Sequence, residues 1–151
     1  MTDHTTTARE QELAARNQQL AREVLGTVGT ERNFDYMADD VVVEFPYGPS
    51  LGMPERFEGK AAATAYLRQM FAQLAGLRMR DVTTYSVAGR PELVFAEYEG
   101  DAPTPGGNSY TQVYVNRLEF RDGRLVRMRE FWDPKKVVDA LSGTFDGNVR
   151  A

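Results

Sequence analysis

Two alternating runs joined through a single Asp-Gly pair constrain this chain most: Tyr110 to Phe120, then Asp122-Gly123, then Arg124 to Trp132. Asp-Gly tolerates the left-handed backbone of a two-residue turn, so the runs are expected to form an antiparallel hairpin. Alternation in the second run places Val126, Met128, Glu130 and Trp132 on one face and Leu125, Arg127, Arg129 and Phe131 on the other. The first face is apolar except for Glu130, and the second, with two arginines, reads as the wetter side. A carboxyl beside Met128 and Trp132 would be partly desolvated, which raises its pKa and suits it to proton transfer near neutral pH. The competing reading is an ion pair with an arginine of a neighbouring strand.

Helical signals come earlier in the chain. Thr7 to Leu25 is rich in Ala, Glu, Gln, Arg and Leu, with Leu13, Leu20 and Val24 at helical spacing, and Gly26 and Gly29 end it. A short helix is expected from Glu31 to Met37, with Phe34 and Met37 inward, and a buried strand from Val41 to Phe45. Pro46, Gly48, Pro49, Gly52 and Pro54 then make an exposed loop, in which Met53-Pro54-Glu55-Arg56 reads as a lid or turn. Gly59 precedes a second helix, Lys60 to Leu74, with Tyr66, Met70 and Leu74 on one face. Leu77 to Val87 and Leu93 to Glu99 complete the strands, and Pro134 to Leu141 reads as a closing helical turn. The expected architecture is one α+β domain over 1–151, with an ordered core of about 8–142 and loose tails at 1–7 and 143–151. Its curved, mostly antiparallel sheet would wrap around the N-terminal helices.

Composition removes several chemistries. The 151 residues include no cysteine, so disulfides and thiol catalysis are excluded, and one histidine, His4, in a polar N-terminal stretch. Twenty-two acidic against eighteen basic residues leave no basic stripe for nucleic acid. No apolar run approaches membrane-spanning length and the N-terminus is too polar for a signal peptide, so a cytoplasmic protein is expected. No metal or organic cofactor is expected either, since Pro105-Gly106-Gly107 lacks the strand-loop-helix setting of a phosphate cradle.

The order of elements, with Tyr36-Met37-Ala38-Asp39-Asp40-Val41, Phe57-Glu58-Gly59-Lys60 and Phe120-Arg121-Asp122-Gly123-Arg124-Leu125, resembles the nuclear transport factor 2-like superfamily. That superfamily includes ketosteroid isomerase, scytalone dehydratase and the SnoaL-type polyketide cyclases. The resemblance covers nearly the whole chain and implies a cone-shaped α+β barrel with an internal pocket. Arg129-Glu130-Phe131-Trp132-Asp133-Pro134, followed by Ala140-Leu141, is most similar to the A/B-type proteins of phenazine biosynthesis, whose glutamate in this motif is an active-site acid/base. Its implied counterpart is Glu130. The steroid isomerases' catalytic aspartate falls at Phe45, their oxyanion-hole tyrosine near Ala21, and their protonated aspartate near Asn116. Steroid isomerisation by the usual residues is therefore not expected. The histidine and serine of the phenazine-type second helix are replaced by Tyr66 and Met70.

These placements imply an aromatic, apolar cup. Glu130, Tyr66 and Asn116 are its candidate catalytic residues, and Phe45, Tyr47, Met70, Tyr98, Gln112, Tyr114, Met128 and Trp132 its candidate substrate contacts. The plainer alternative is that the aromatic and methionine side chains are core, with tyrosine hydroxyls satisfied by backbone or water. The expected function is a cofactor-independent cyclase, isomerase or dehydratase of secondary metabolism, acting on a hydrophobic polycyclic or polyketide-like metabolite. The alternative is a non-catalytic binder or scaffold of the same fold. A homodimer is expected through Thr111, Val113, Val115 and Arg117 on the convex face.

Overall fold

The computed structural model describes residues 4–104 and 106–141. Pro105 and the expected tail at 143–151 lie outside them, whereas residues 4–7, read as tail, already belong to the first helix. The elements are α1 (His4–Gly26), a 3-10 turn (Glu31–Tyr36), β1 (Met37–Glu44), a second 3-10 turn (Gly48–Leu51), β2 (Arg56–Glu58), α2 (Lys60–Gln73), β3 (Arg78–Val87), β4 (Arg90–Pro103), β5 (Ser109–Arg121), β6 (Arg124–Trp132) and α3 (Pro134–Leu141). The strands form one curved, unclosed sheet in the order β2-β1-β6-β5-β4-β3. Only β1 and β6 run parallel.

The Asp-Gly hairpin forms as its chemistry requires. Arg121 pairs with Arg124, and Asp122 and Gly123 both take positive φ, 52° and 75°, the backbone of a tight primed turn. Beyond the turn the strict alternation fails. Phe120 pairs with Leu125 but Glu119 pairs with Arg127, so Val126 is an extra residue in β6. This bulge turns Leu125 inward, where it is completely buried, instead of outward with Arg127 and Arg129 as alternation predicts. Met128, Glu130 and Trp132 keep the expected inner face.

Three other expectations need correction. Arg56 belongs to β2, an edge strand paired with β1, so the lid or turn ends at Glu55, whose carbonyl accepts a 2.7 Å bond from the Phe45 amide. β4 runs on through Gly100, Asp101 and Ala102, residues of poor strand propensity, because β5 pairs with it continuously from Leu93↔Glu119 to Pro103↔Ser109. Leu13 is exposed. α1 instead seats Ala21, Val24 and Leu25 on the core and is tied to the sheet by polar groups, Asn17 Nδ2 donating to the Pro91 carbonyl at 2.9 Å. Among the described residues no helix is long and apolar enough to cross a membrane.

Candidate active site

Glu130 is placed by strand register. It stands opposite Asn116 on β5, Asn116 stands opposite Ala96 on β4, and Tyr98 lies two residues further along that strand, on the same inner face. The three side chains meet. Tyr98 Oη donates a short hydrogen bond to Glu130 Oε2, Asn116 Nδ2 donates to Tyr98 Oη at 2.9 Å, and the same nitrogen reaches Oε2 at 3.4 Å. Neither contact uses Oε1. No arginine takes part: Arg127, on the outer face, bonds Glu44 at 2.6 Å, and so the ion-pair alternative for Glu130 is not the arrangement adopted.

Glu130 keeps some accessible surface as a residue, as a group lining a cavity must, but its carboxyl is desolvated. Burial pushes its pKa up to about 7, against the opposing pull of the Tyr98 and Asn116 hydrogen bonds. The cavity, of about 80 Å³, has room for several waters or one small ring. It lies between the end of α1, α2 and the concave face of the sheet, with Val24, Leu25, Tyr66, Met70, Tyr114, Glu130 and Trp132 among its walls.

Tyr66 is the second polar group of note. Its ring stacks on Phe57 at 4.1 Å and packs against Phe45 at 5.7 Å, while its hydroxyl is buried without a hydrogen-bond partner. Burial, then the charge of Glu130, raises its pKa to about 12, so it remains a donor at neutral pH. A buried donor without a partner, on a ring that lines the cavity, is left available to a ligand acceptor that reaches it. Tyr110 and Tyr114 satisfy each other, with hydroxyls 2.8 Å apart. Burial raises both pKa values, that of Tyr110 to about 12.

The structure thus gathers Glu130, Tyr66, Phe45, Met70, Tyr114, Met128 and Trp132 around one space. Tyr98 and Asn116 do not line it but stand behind Glu130, the first 2% and the second 0% exposed. Two more expected contacts, besides Tyr98, lie elsewhere. Tyr47 is exposed and packs edge-on against Phe131, 5.6 Å away, because Phe131 points to the outer face. Gln112 is buried and holds the approach to α3, donating to the Asp133 carbonyl at 2.8 Å and accepting from the Asp133 amide at 3.1 Å. The lining also includes Tyr110, Leu125, Met53 and Met79, none of them singled out from sequence. Among the described residues no three His, Cys, Asp or Glu side chains are grouped to hold a metal ion.

One backbone position shapes the cavity wall. A Cβ on Gly100 would sit 2.8 Å from Tyr114 Cε2 and 2.8 Å from Met79 Sδ, and the Tyr114 ring cannot retreat because it stacks on Tyr98 at 5.0 Å. Gly100→Ala is expected to cost about 1–3 kcal/mol through overpacking, read as a lower urea midpoint at unchanged m-value.

An α+β fold whose curved sheet cups a largely apolar cavity beneath its helices has the architecture expected of a small-molecule-binding protein. Residues 22–128 match the family described as SnoaL-like domain, and the chain belongs to that family. An uncharacterised PhzA/B-like protein of Pseudomonas aeruginosa is 36% identical over 110 residues, 72% of this chain and 76% of that protein. A Bacillus subtilis protein described as a candidate isomerase is 33% identical, with a TM-score of 0.75 over 90% of this chain and 97% of its own. A phenazine biosynthesis-related protein of Pseudomonas aeruginosa superposes with a TM-score of 0.79 at 19% identity, over 95% of this chain and 96% of its own. A neighbour from Xanthomonas campestris, described as a candidate polyketide cyclase, shares the fold at a TM-score of 0.64 and 20% identity, over 83% of this chain and 99% of its own.

Proposed function

We propose that the protein is a cofactor-independent acid–base enzyme that cyclises, isomerises or dehydrates a small hydrophobic metabolite. The observation that carries this reading is a desolvated carboxyl with a pKa of about 7 in the same cavity as an unpartnered buried hydroxyl. The three reactions share one step, transfer of a proton at a carbon next to a carbonyl. Glu130 takes that proton, and Tyr66 donates a hydrogen bond to the oxygen on which charge develops. Asn116 and Tyr98 hold the carboxylate and leave Oε1 outside their own bonds. Neighbours described as polyketide cyclases and a candidate isomerase support the reaction class.

The direct test uses a simple ketone. The protein is expected to accelerate exchange of the α-hydrogens of cyclohexanone in deuterium oxide, followed by NMR. No acceleration at saturating ketone would leave a binding module of the same fold.

The convex face supports a homodimer. Val113 is 58%, Val115 38% and Phe95 36% exposed on adjacent strands, an apolar set that a monomer would leave in water. The expected result is a dimer in sedimentation velocity that Val115→Asp converts to monomer. A wild-type monomer at micromolar concentration removes this part of the proposal.

A further inference from the structure

The charge that the cavity can accept follows from its lining. Among the described residues the walls contain no lysine, arginine or histidine, and Glu130 is their only carboxylate. From the elements packed around Glu130 the other titratable groups are Tyr66 of α2, Tyr98 of β4, and Tyr110 and Tyr114 of β5, each held protonated by burial. The arginines of β6 point away: Arg127 to Glu44 at 2.6 Å, and Arg129 over the outer Phe131 ring at 5.6 Å. An anionic ligand would bring a second negative charge beside Glu130 with no counter-ion, in a low-dielectric space. Glu130 receives Tyr98 and Asn116 on Oε2 only, and these bonds add no positive charge that an anion could use.

The apolar walls have their own signature. The chain has six methionines, and Met37, Met53, Met70, Met79 and Met128, every one after Met1, line this single cavity. Methionine is flexible and polarisable, fits itself to irregular shapes, and makes favourable contacts with ring systems. Such a wall can spread around a ring larger than the resting space, but it offers nothing to pair with an anion.

We infer that the natural ligand is a ring compound with an acceptor oxygen and no anionic group, and that the cavity rejects carboxylated relatives of the same skeleton. This deepens the proposed function by fixing the charge class of its substrate, and it rests on the same cavity being the functional site.

Trp132 supplies the readout, since it is the only tryptophan and lies in the cavity wall. The full chain is titrated at about pH 8, where a group with a pKa near 7 is mostly ionised, with cyclohexanone and cyclohexanecarboxylate. The two share one ring, and the weak near-ultraviolet absorption and collisional quenching of the ketone are corrected with free N-acetyltryptophanamide as reference. The ketone is expected to perturb Trp132 emission at concentrations at least about tenfold lower than the carboxylate. Glu130→Gln should narrow the gap to the carboxylate without closing it, because the cavity still lacks a cation. Carboxylate binding as tight as that of the ketone overturns the inference, and so does a ketone that leaves the emission unchanged up to its solubility. The outcome is separable from the catalytic reading. Failure of α-hydrogen exchange leaves the binding order intact, and a reversed order with exchange intact defeats only the charge selectivity.

Discussion

Glu130→Gln is expected to slow α-hydrogen exchange of bound cyclohexanone by about 10²–10⁴-fold, the range that a positioned proton-transfer group contributes. Glutamine keeps the length of the side chain and can still accept from Tyr98 and Asn116, so ketone binding at Trp132 should change far less than the rate. The pH profile separates base catalysis from mere positioning. A base must be ionised to accept the proton, so the wild-type rate should rise through about pH 7, where Glu130 titrates, and level off above it. Tyr66→Phe removes the oxygen's donor and should lower the plateau without moving that midpoint much. A Gln variant within a few-fold of the wild type would place the chemistry elsewhere. A profile flat from about pH 5 to 9 would do the same.

Much of the fold was legible because it rests on local chemistry. The Asp122-Gly123 turn, the helices opening near Thr7 and at Lys60, and the inward side of Met128, Glu130 and Trp132 all follow from residue type and spacing. The misses are long-range. Nothing local announces that β1 will lie parallel to β6, and β2 is a strand only because β1 offers it an edge. The Val126 bulge carries no sequence mark, since Val and Leu are equally at home on either face, and it alone decides that Leu125 joins the core. In β4, Gly100 and Asp101 read as breakers until β5 pairs across them.

The site divides along the same line. Glu130 stood out because a carboxylate interrupts an apolar face, a conflict visible in one strand. That Tyr98 and Asn116 bond the carboxylate and stand outside the cavity lining depends on cross-strand register, which the sequence does not print. Tyr47 and Gln112 look like contacts by composition but are drawn off, the one by Phe131 and the other by the backbone of Asp133. The methionines are the instructive case. Scattered along the chain from Met37 to Met128, they show no pattern until the sheet curls around α1 and α2 and brings all five to one space.

The stability of the protein should fall as pH rises through the range where Glu130 titrates. Its carboxyl moves from an ordinary 4.5 to about 7 on folding, so between these values the folded state holds a proton that the unfolded chain has released. Stability then decreases with pH: the contribution of Glu130 is complete below about 4.5, is lost progressively, and is gone above about 7. At about 1.4 kcal/mol per pH unit the displacement corresponds to about 3 kcal/mol. The carboxylates whose pKa values are lowered by arginine partners, Glu31, Asp40 and Glu92, titrate below this window and have the opposite sign. Glu130→Gln cannot ionise, so its urea-derived stability should lack the decline. Relative to the wild type the variant should gain about 3 kcal/mol between about pH 4.5 and 8, whatever its offset at low pH. Parallel curves for the two proteins would mean that the carboxyl is hydrated, and a hydrated Glu130 would lose the tuning on which its proposed role as a base near neutrality depends.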